Sequence, residues 1–359
     1  MPKSVSIARA EGSPGHVYYP LSLDNVRKAS PTGTEVLVKI HAAAMNHRDL
    51  FIRQNLYPNV AFGVTQWADG CGIVTEIGAD ASVHWKGKRV ILSPAIGWDS
   101  DDSAPEAEGG YALLGGTARY KNGTLQEYML IDQRELEEAP DHLDDVEAAA
   151  FPVTGLTAWR AVMIKCAQHI GPGKKLLITG IGGGVALMAL DFAKEVGTEV
   201  YVTSGSQQKL ERAQQRGAKG GVTYRDKYWE KDLMEMTKGV KMDAIIDGAG
   251  GDIIEKSIEI LKPGGVIAIY GMTLGPKLPF LMQAVMRNIE VKGSTMGSRK
   301  DFREMIHFIK EKRIKPVVST VVQGLDLKAI NGLYDEMQKG AQFGKLVVEV
   351  TSRTDISKL

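Results

Sequence analysis

The stretch from Lys174 to Lys209, KKLLITGIGGGVALMALDFAKEVGTEVYVTSGSQQK, is the feature that most limits what this chain can fold into. The apolar run 176–179 predicts a strand, the glycines of 180–184 predict a tight turn, and residues 185–196 have helical spacing. A second strand is predicted over 199–203. This order predicts a βαβ unit whose glycines open the helix.

Such a turn lets backbone N–H groups and a helix N-terminus approach a pyrophosphate. Glycine is required because a Cβ would block that approach and because some turn positions need φ > 0. The spacing Gly180-x-x-Gly183-x-x-Ala186 departs from a strict G-x-G-x-x-G, and a glycine-rich turn in another α/β fold is the alternative. We interpret the turn as a dinucleotide site contacted by Gly180, Gly182, Gly183, Gly184 and Val185.

The end of the second predicted strand indicates which dinucleotide binds. An NAD site usually has Asp or Glu there for the ribose 2′-OH, whereas Val202 to Lys209 contains no carboxylate. Ser204, Ser206 and Lys209 offer two hydroxyls and an ammonium to a 2′-phosphate. The alternative is ordinary loop serines and a solvated lysine. The sequence favours NADP(H).

Length and charge limit the class of protein. With 359 residues the chain suits two domains of ordinary size. The formal net charge of +1 gives no field that would attract nucleic acid or a membrane surface. The longest uncharged apolar run, 176–190, is too short to span a bilayer. We therefore expect neither nucleic acid nor membrane as a partner.

The C-terminus carries a separate signal. After residue 350 we expect a flexible polar tail, 351–359, that ends in Ser357-Lys358-Leu359. This tripeptide is the peroxisomal import address, so the import receptor is an expected partner and the peroxisomal matrix the expected location. The alternative is a coincidence in a cytoplasmic or bacterial protein.

The alternation of elements predicts two domains in an α/β fold. Residues 34–43, 70–77 and 88–92 alternate like antiparallel strands, whereas from about Glu147 the pattern becomes βα. Strands are predicted at 175–179, 199–203, 219–223, 243–247, 265–270 and 289–293, and the clearest helix over 207–216. We expect a β-rich catalytic domain from residues 1–150 and 299–350, which the final strand rejoins, and a doubly wound parallel-sheet domain at 151–298.

Several motifs together resemble one superfamily. They are Asn46-His-Arg-Asp49, Asp69-Gly-x-Gly72, Gly155-Leu-Thr-Ala-Trp159, the glycine turn, Lys262-Pro-Gly-Gly265 and Phe343-Gly-Lys345. Over nearly its whole length the chain resembles the medium-chain dehydrogenase/reductase superfamily, and within it the zinc-independent quinone oxidoreductase-like branch. The resemblance implies a GroES-like catalytic domain, a Rossmann domain and a homodimer.

The branch is indicated by missing metal ligands. Zinc-dependent relatives hold a catalytic zinc with a Cys, a His and a second Cys or acid; the matching positions here are Asn46, Ala68-Asp69 and the vicinity of Val153. An amide, a methyl and an isopropyl group do not hold zinc. Residues 94–122, in the place of the structural zinc lobe, contain no cysteine. We expect no metal.

Asn46 is the candidate catalytic residue, because its amide N–H₂ stands at the vacated zinc position. A turn-capping Asn is the alternative. The resemblance implies that His47 contacts the cofactor pyrophosphate and that Thr157, expected to open a helix, lies beside the nicotinamide. Asp49 and Arg53 are four residues apart on a predicted helix, so they could form a structural ion pair.

The walls of a substrate slot are predicted from aromatic residues. Tyr57, Phe62 and Trp67 are the candidates, and the alternative is that they are ordinary core residues.

Further cofactor contacts are predicted at the ends of the later strands. Ligands of open parallel sheets bind beyond the carboxyl ends of the strands. We therefore predict contacts from Gly248 and Ala249 after one strand, and from Tyr270, Gly271 and Met272 after another. Tyr224, after the third strand, is predicted near the adenosine phosphate.

Without a Lewis acid, stabilising the alkoxide of a simple alcohol is difficult. In an enal, enone or quinone the incoming charge reaches an oxygen that hydrogen-bond donors can stabilise. The sequence therefore predicts an NADPH-dependent reductase of conjugated carbonyls or quinones. The alternative is a non-catalytic NADPH-binding protein of the same fold.

Overall fold

The computed structural model describes residues 1–275 and 277–351. The chain forms two compact units: Met1–Val153 together with the chain from Ser298 onward, and Thr154–Gly297. The predicted peroxisomal address at 357–359 lies outside the described residues. Within them, no helix is both long and apolar enough to cross a membrane.

In chain order, the first part of the first unit contains nine strands and two α-helices. The strands are β1 (Lys3–Ile7), β2 (Leu21–Asn25), β3 (Glu35–Met45), β4 (Asp69–Ile77), β5 (Arg89–Leu92), β6 (Ala95–Ile96), β7 (Ala112–Leu113), β8 (Tyr128–Asp132) and β9 (Leu136–Glu138). The helices are α1 (His47–Arg53) and α2 (Asp145–Ala149). Helix α3 (Pro152–Trp159) contains the boundary and continues as a π-helix over Arg160–Lys165.

The second unit and the returning chain follow. The second unit contains β10 (Lys175–Ile178), α4 (Gly184–Glu195), β11 (Glu199–Ser204), α5 (Gln207–Gln215), β12 (Gly220–Thr223), α6 (Trp229–Met236), β13 (Met242–Asp247), α7 (Ile253–Ile260), β14 (Leu261–Ile269), α8 (Met282–Met286) and β15 (Glu290–Gly293). The returning chain contains α9 (Arg299–Lys312), β16 (Val318–Gln323), α10 (Leu327–Gln338) and β17 (Lys345–Glu349).

The second unit has the Rossmann arrangement. Its six strands are all parallel, in the order β12-β11-β10-β13-β14-β15, so the order reverses between β10 and β13. The central strands are continuous buried apolar runs, as in Leu176–Ile178 and Ala244–Ile246, because helices cover both faces of such a sheet. The predicted doubly wound domain is confirmed.

The first unit is built on a seven-stranded sheet in which β3 is central. β4 pairs antiparallel with one edge of β3, and β17, near the end of the chain, pairs antiparallel with the other. Leu346 lies opposite Met45, and Asp69 lies opposite Ala44. The start of β17, the end of β3 and the start of β4 are therefore neighbours at one end of the sheet, and the prediction that the final strand rejoins the first domain is confirmed.

Candidate active and cofactor sites

The glycine turn lies between β10 and α4, as the sequence pattern predicts. Gly180 and Gly182 have φ values of +66° and +119°, a region that side-chain-bearing residues rarely adopt. A Cβ on Gly180 would have no heavy atom within 4 Å, so the space over the turn is open. The turn is hydrogen-bonded to the end of β11, where the Gly180 N–H donates to Thr203 Oγ1 at 3.1 Å.

Lys209 lies across this turn. A Cβ on Gly182 would come within 2.9 Å of the Lys209 Cδ, so the lysine stem packs on the glycine backbone. Burial, and secondarily the charge of Arg212, lowers the pKa of the Lys209 ammonium below its usual range. A cation held partly out of water beside the N-terminus of α4 is suited to a phosphate group.

The two predicted serines differ in their surroundings. Ser204 is buried; its hydroxyl lies 3.5 Å from the carbonyl oxygen of Ile181 and accepts the backbone N–H of Ser206 at 3.2 Å. Ser204 therefore holds the loop together, and its hydroxyl is already engaged. Ser206 is the N-cap of α5, but its side chain makes no capping hydrogen bond. Of the pair, Ser206 is the better placed to contact a 2′-phosphate.

Tyr224 borders the same loop. Its backbone N–H donates to Ser204 O at 3.2 Å, and a Cβ on Gly205 would lie 2.7 Å from its hydroxyl. The ring is about half exposed. The fold thus brings the turn, Ser206, Lys209 and Tyr224 to one edge of the Rossmann sheet.

The predicted contacts beyond β13 and β14 are neighbours as well. Gly248 must be glycine, because a Cβ there would lie 2.4 Å from the ring and hydroxyl of Tyr270. A Cβ on Gly271 would lie 3.2 Å from Gly248 O, and one on Gly250 would lie 3.4 Å from the Met272 side chain. Ala249 lies between these glycines. The two strand ends form one surface at the carboxyl edge of the sheet.

The Asn46 side chain lies in the first unit, at the sheet end where β17, β3 and β4 meet. Asn46 is 5% exposed, and its Nδ2 donates to Asp69 Oδ2 at 2.9 Å. Lys345 Nζ donates to Asn46 Oδ1 at 2.5 Å and to Asp69 Oδ2 at 2.9 Å. The second carboxylate oxygen of Asp69 accepts the backbone N–H of Val153 at 2.8 Å.

These contacts test whether the residues fit a zinc ion. Of the three positions that match metal ligands in zinc-dependent relatives, Asn46 bonds to Asp69, the neighbour of Ala68, and the backbone N–H of Val153 bonds to the same carboxylate. The Asp69 carboxylate is paired with the Lys345 ammonium, which also bonds to Asn46. Among residues 1–275 and 277–351 there is no group of three or more His, Cys, Asp or Glu side chains arranged to hold a metal. These residues do not fit a catalytic zinc.

A second carboxylate is buried next to this cluster. Asp49 accepts the backbone N–H of Asn46 at 2.8 Å and lies 3.3 Å from an Arg48 nitrogen. Burial raises the pKa of Asp49 to about 6, opposed by the charges of Arg48 and Lys345 and assisted by that of Asp69. The expected Asp49–Arg53 pair is wrong: Arg53 binds Tyr19 O and Asn331 Oδ1 instead.

His47 and Thr157 are the remaining residues that were predicted to contact the cofactor. His47, the first residue of α1, is exposed, yet desolvation lowers the pKa of its imidazole. The sequence predicted that Thr157 opens a helix, but this prediction is wrong, because Thr157 lies within α3. Its hydroxyl donates to Met296 Sδ at 3.3 Å.

The three aromatic residues of the predicted substrate slot differ. Trp67 is fully buried and donates its indole N–H to the Tyr334 hydroxyl at 2.9 Å, so it belongs to the core. Phe62 packs edge-on against Tyr19. The Arg48 guanidinium lies over the Tyr57 ring, with its Cζ atom 5.0 Å from the ring centroid. Of the three aromatic residues, Tyr57 is nearest in sequence to α1. Their role as a substrate slot stays a prediction.

Sequence reasoning assigns no role to two residues near Asn46. The motif Phe343-Gly-Lys345 contains Lys345 but does not place it, because its register against β3 is a property of the folded sheet. Arg48 is buried, and its guanidinium holds the carbonyl oxygens of Leu114 and Gly115 at 2.9 Å each. A charged residue at the first turn of a short helix is the available signal for Arg48.

Comparisons with known proteins agree with this fold. Residues 32–141 match the family described as alcohol dehydrogenase GroES-like domain, and residues 184–311 match zinc-binding dehydrogenase. The chain is 45% identical over 359 residues to the zinc-type alcohol dehydrogenase-like protein YogA of Leptosphaeria maculans, covering 98% of this chain and 100% of the relative.

Two further relatives support the same assignment. A zinc-type alcohol dehydrogenase-like protein of Schizosaccharomyces pombe, C1773.06c, is 33% identical over 323 residues, covering 88% of this chain and 91% of the relative. The crystal structure of an NAD-dependent alcohol dehydrogenase superposes with a TM-score of 0.84 at 31% identity, covering 98% of this chain and 100% of that one.

Proposed function

The chain belongs to the medium-chain dehydrogenase/reductase superfamily of oxidoreductases, and on this premise we propose that it is an NADPH-dependent, zinc-independent reductase. Its substrates would be conjugated carbonyl compounds, reduced at the C=C bond of an enal or enone, or quinones. The observation that carries this proposal is that Asn46, at the first zinc-ligand position of other members, bonds to the ion pair of Lys345 and Asp69.

The preference for NADPH rests on the residues around the glycine turn. The open space over Gly180 suits a pyrophosphate, and Lys209 with Ser206 stands at the end of β11, where a ribose 2′-phosphate would lie. A carboxylate that would repel this phosphate is absent from Val202 to Lys209. A structural relative is described as NAD-dependent, and calorimetry with NADPH and NADH measures which cofactor the present chain prefers.

The proposed reaction needs little from the protein beyond donors and positioning. NADPH, when bound, supplies a hydride. As the hydride adds to the β-carbon of an enal or enone, the C=C electron pair moves toward the carbonyl, which becomes an enolate. The Asn46 amide would donate a hydrogen bond to that oxygen and stabilise its charge. Water would then protonate the α-carbon. Addition to a quinone would form a hydroquinone monoanion, stabilised in the same way before protonation.

The experiment is a screen of NADPH oxidation by the purified protein with enals, enones, quinones and enoyl-CoA esters. Simple primary and secondary alcohols with NADP⁺ are the control substrates, and elemental analysis accompanies both. We expect turnover with conjugated acceptors, no stoichiometric zinc and no loss of activity with a chelator. Efficient alcohol oxidation would contradict the reaction class. NADPH binding without any turnover would favour the non-catalytic alternative.

We also propose a homodimer formed through the Rossmann sheet. β15 is an edge strand of this sheet, and Val291 on it is 40% exposed. Helix α8, just before this strand, presents Met282 and Met286 at 68% and 75% exposure. Unpaired strand edges with apolar neighbours are suited to pairing with a second copy. Light scattering should give the mass of a dimer, and Val291→Lys should yield monomers.

Peroxisomal import through Ser357-Lys358-Leu359 remains a proposal from the sequence. A fusion with a fluorescent protein at the N-terminus should co-localise with a peroxisomal marker. Deletion of the tripeptide should make the signal cytoplasmic, and an unchanged distribution would refute the proposal.

A further inference from the structure

Asn46, Asp69 and Lys345 form a closed ring of hydrogen bonds. Asp69 Oδ2 accepts from Asn46 Nδ2 and from Lys345 Nζ, both at 2.9 Å, and Lys345 also donates to Asn46 Oδ1 at 2.5 Å. The three side chains come from three adjacent strands or their ends, although Asn46 and Lys345 are 299 residues apart in sequence. At 0–5% exposure they are almost fully removed from water.

This ring determines which way the Asn46 amide points. An ammonium only donates hydrogen bonds and a carboxylate only accepts them. The atom that faces Lys345 must therefore be the amide oxygen, and the atom that faces Asp69 must be the amide nitrogen. A flipped amide would place N–H against N–H and oxygen against oxygen. Lys345 and Asp69 together hold Asn46 in one orientation.

The hydrogen bonds of the ring do not use every N–H group of Asn46 and Lys345. An amide nitrogen carries two hydrogens and an ammonium carries three. The hydrogen bonds of the ring use one hydrogen of Asn46 Nδ2 and two of Lys345 Nζ. One N–H of each group remains. Because the two groups are bonded to the same carboxylate oxygen, their remaining N–H groups belong to one small region.

We propose that Lys345 and Asn46 act together as a two-donor oxyanion site, in which the buried ammonium takes the role that a metal cation has in zinc-dependent relatives. This inference rests on the proposed function for the identity of the substrate oxygen. Asp69 neutralises the ammonium and fixes its position, and Lys345 fixes the amide that donates the second hydrogen bond. A fixed cation in a water-poor site favours an oxyanion over a neutral carbonyl without reorganising.

The chemistry predicted for the pair is limited to charge stabilisation. A hydride contributes two electrons and one hydrogen to the β-carbon, and the carbonyl oxygen gains the negative charge. Lys345 keeps its proton throughout, and water supplies the proton of the α-carbon. The site therefore needs no redox-active group of its own.

The first measurement is steady-state kinetics with the substrate that the screen selects. Lys345→Met keeps the length of the side chain and removes its charge, but it leaves Asp69 unpaired. The double variant Lys345→Met/Asp69→Asn removes both charges and is the variant on which the test depends. Asp69→Asn alone, which keeps the ammonium, is the matched control, and Lys256→Met removes another largely buried ion-paired lysine, bonded to Glu230, in the other unit.

We expect the double variant to lose roughly a hundredfold in kcat, the typical effect of removing one oxyanion donor. The decrease in kcat caused by Asp69→Asn should be at least tenfold smaller than that of the double variant, and the kcat of Lys256→Met should be unchanged. NADPH affinity, measured by calorimetry without any substrate, should stay within about twofold in the variants of Lys345 and Asp69, since no residue of the ring lies in the cofactor-binding unit. A loss in the double variant no larger than that in Asp69→Asn would overturn the proposal.

The second measurement does not depend on turnover. 4-Nitrophenol is titrated into the protein saturated with NADP⁺, and its ionisation is followed by the absorbance of the phenolate. A two-donor oxyanion site should bind the phenolate in preference to the phenol, and this preference should disappear in the double variant but not in Lys256→Met. Equal preference for phenolate in wild type and double variant would overturn the role of Lys345. If the wild-type protein reduces no conjugated acceptor, the proposed function fails, and this titration still decides whether the oxyanion site exists.

Discussion

The glycine turn and the ring of Asn46, Asp69 and Lys345, called the Asn46 cluster below, are built in opposite ways. The turn, Gly180 to Gly184, is a contiguous segment in which the backbone itself forms the site, so its positive φ angles and its place at a helix N-terminus follow from local sequence. The Asn46 cluster consists of side chains from residues 46, 69 and 345, brought together by antiparallel pairing of three strands. The comparison teaches that the glycine turn is formed by local sequence, whereas the proposed chemistry depends on strand register.

The comparison predicts that the buried surroundings of the Asn46 cluster carry a cost in stability at Asp49, the carboxylate next to it. Asp49 is fully buried, packed against Arg48 of its own helix, and its pKa of about 6 lies above the usual value of 3.8. Lys345 of β17 and Asp69 of β4 are the nearby charged groups from other strands, and Tyr334 of α10 also interacts with it. The folded state therefore holds this proton more tightly than the unfolded state does.

From this shift we predict a pH-dependent loss of stability, the largest of the expected effects. The contribution of Asp49 to the free energy of unfolding should be highest below pH 4, and should fall as the pH rises from about 4 to about 6, by roughly 1–3 kcal/mol. Urea unfolding of wild type and Asp49→Asn over this range measures it. The difference between the two proteins should change with pH in this window; a constant difference would contradict the raised pKa.

The next prediction separates the two regions by activity. Asn46→Ala should lower kcat/KM by roughly tenfold to a hundredfold, because one donor to the acceptor oxygen is lost. NADPH affinity should hardly change. Asn25→Ala, an exposed asparagine on β2, is the control. Unchanged turnover on a good enal or quinone would make Asn46 structural and would remove the functional side of the comparison.

Lys209→Ala tests the local region by itself. The lysine packs on Gly182, so its loss should weaken NADPH by about tenfold or more, the value of one charge-assisted bond, and leave NADH binding almost unchanged. Calorimetry with both cofactors measures this, with the exposed Lys219→Ala as the control. If NADPH and NADH binding were weakened equally, Lys209 would support the turn and would not bind the 2′-phosphate.

The smallest effect distinguishes the two serines. Ser206→Ala should weaken NADPH by a factor of about three to ten, the value of a neutral hydrogen bond, without affecting NADH. Ser204→Ala removes a buried hydroxyl that accepts the Ser206 N–H, so it should weaken both cofactors alike by disturbing the loop. Calorimetry with each cofactor measures both variants, and the reverse pattern would exchange their assigned roles.

Much of the fold could be predicted from the sequence. The six Rossmann strands, the helix at 207–215 and the return of the last strand to the first unit all have strong local patterns of apolar residues and glycines. Within the site, the contact of Lys209 with the turn follows from the order of a βαβ unit, and Ser206 and Tyr224 come just after β11 and β12. The inward direction of the Ser204 hydroxyl and the burial of Trp67 did not follow, because both depend on packing from distant segments.

By itself, the sequence determined that a dinucleotide fold forms and that zinc ligands are lacking at Asn46, Ala68 and Val153. Only the tertiary structure decided which cation the Asn46 side chain contacts. Lys345 reaches Asn46 because Leu346 pairs with Met45, and a shift of one residue would turn the lysine to the other face of the sheet. Strand register of this kind is set by the whole core of the first unit, so no local pattern around residue 345 could reveal it.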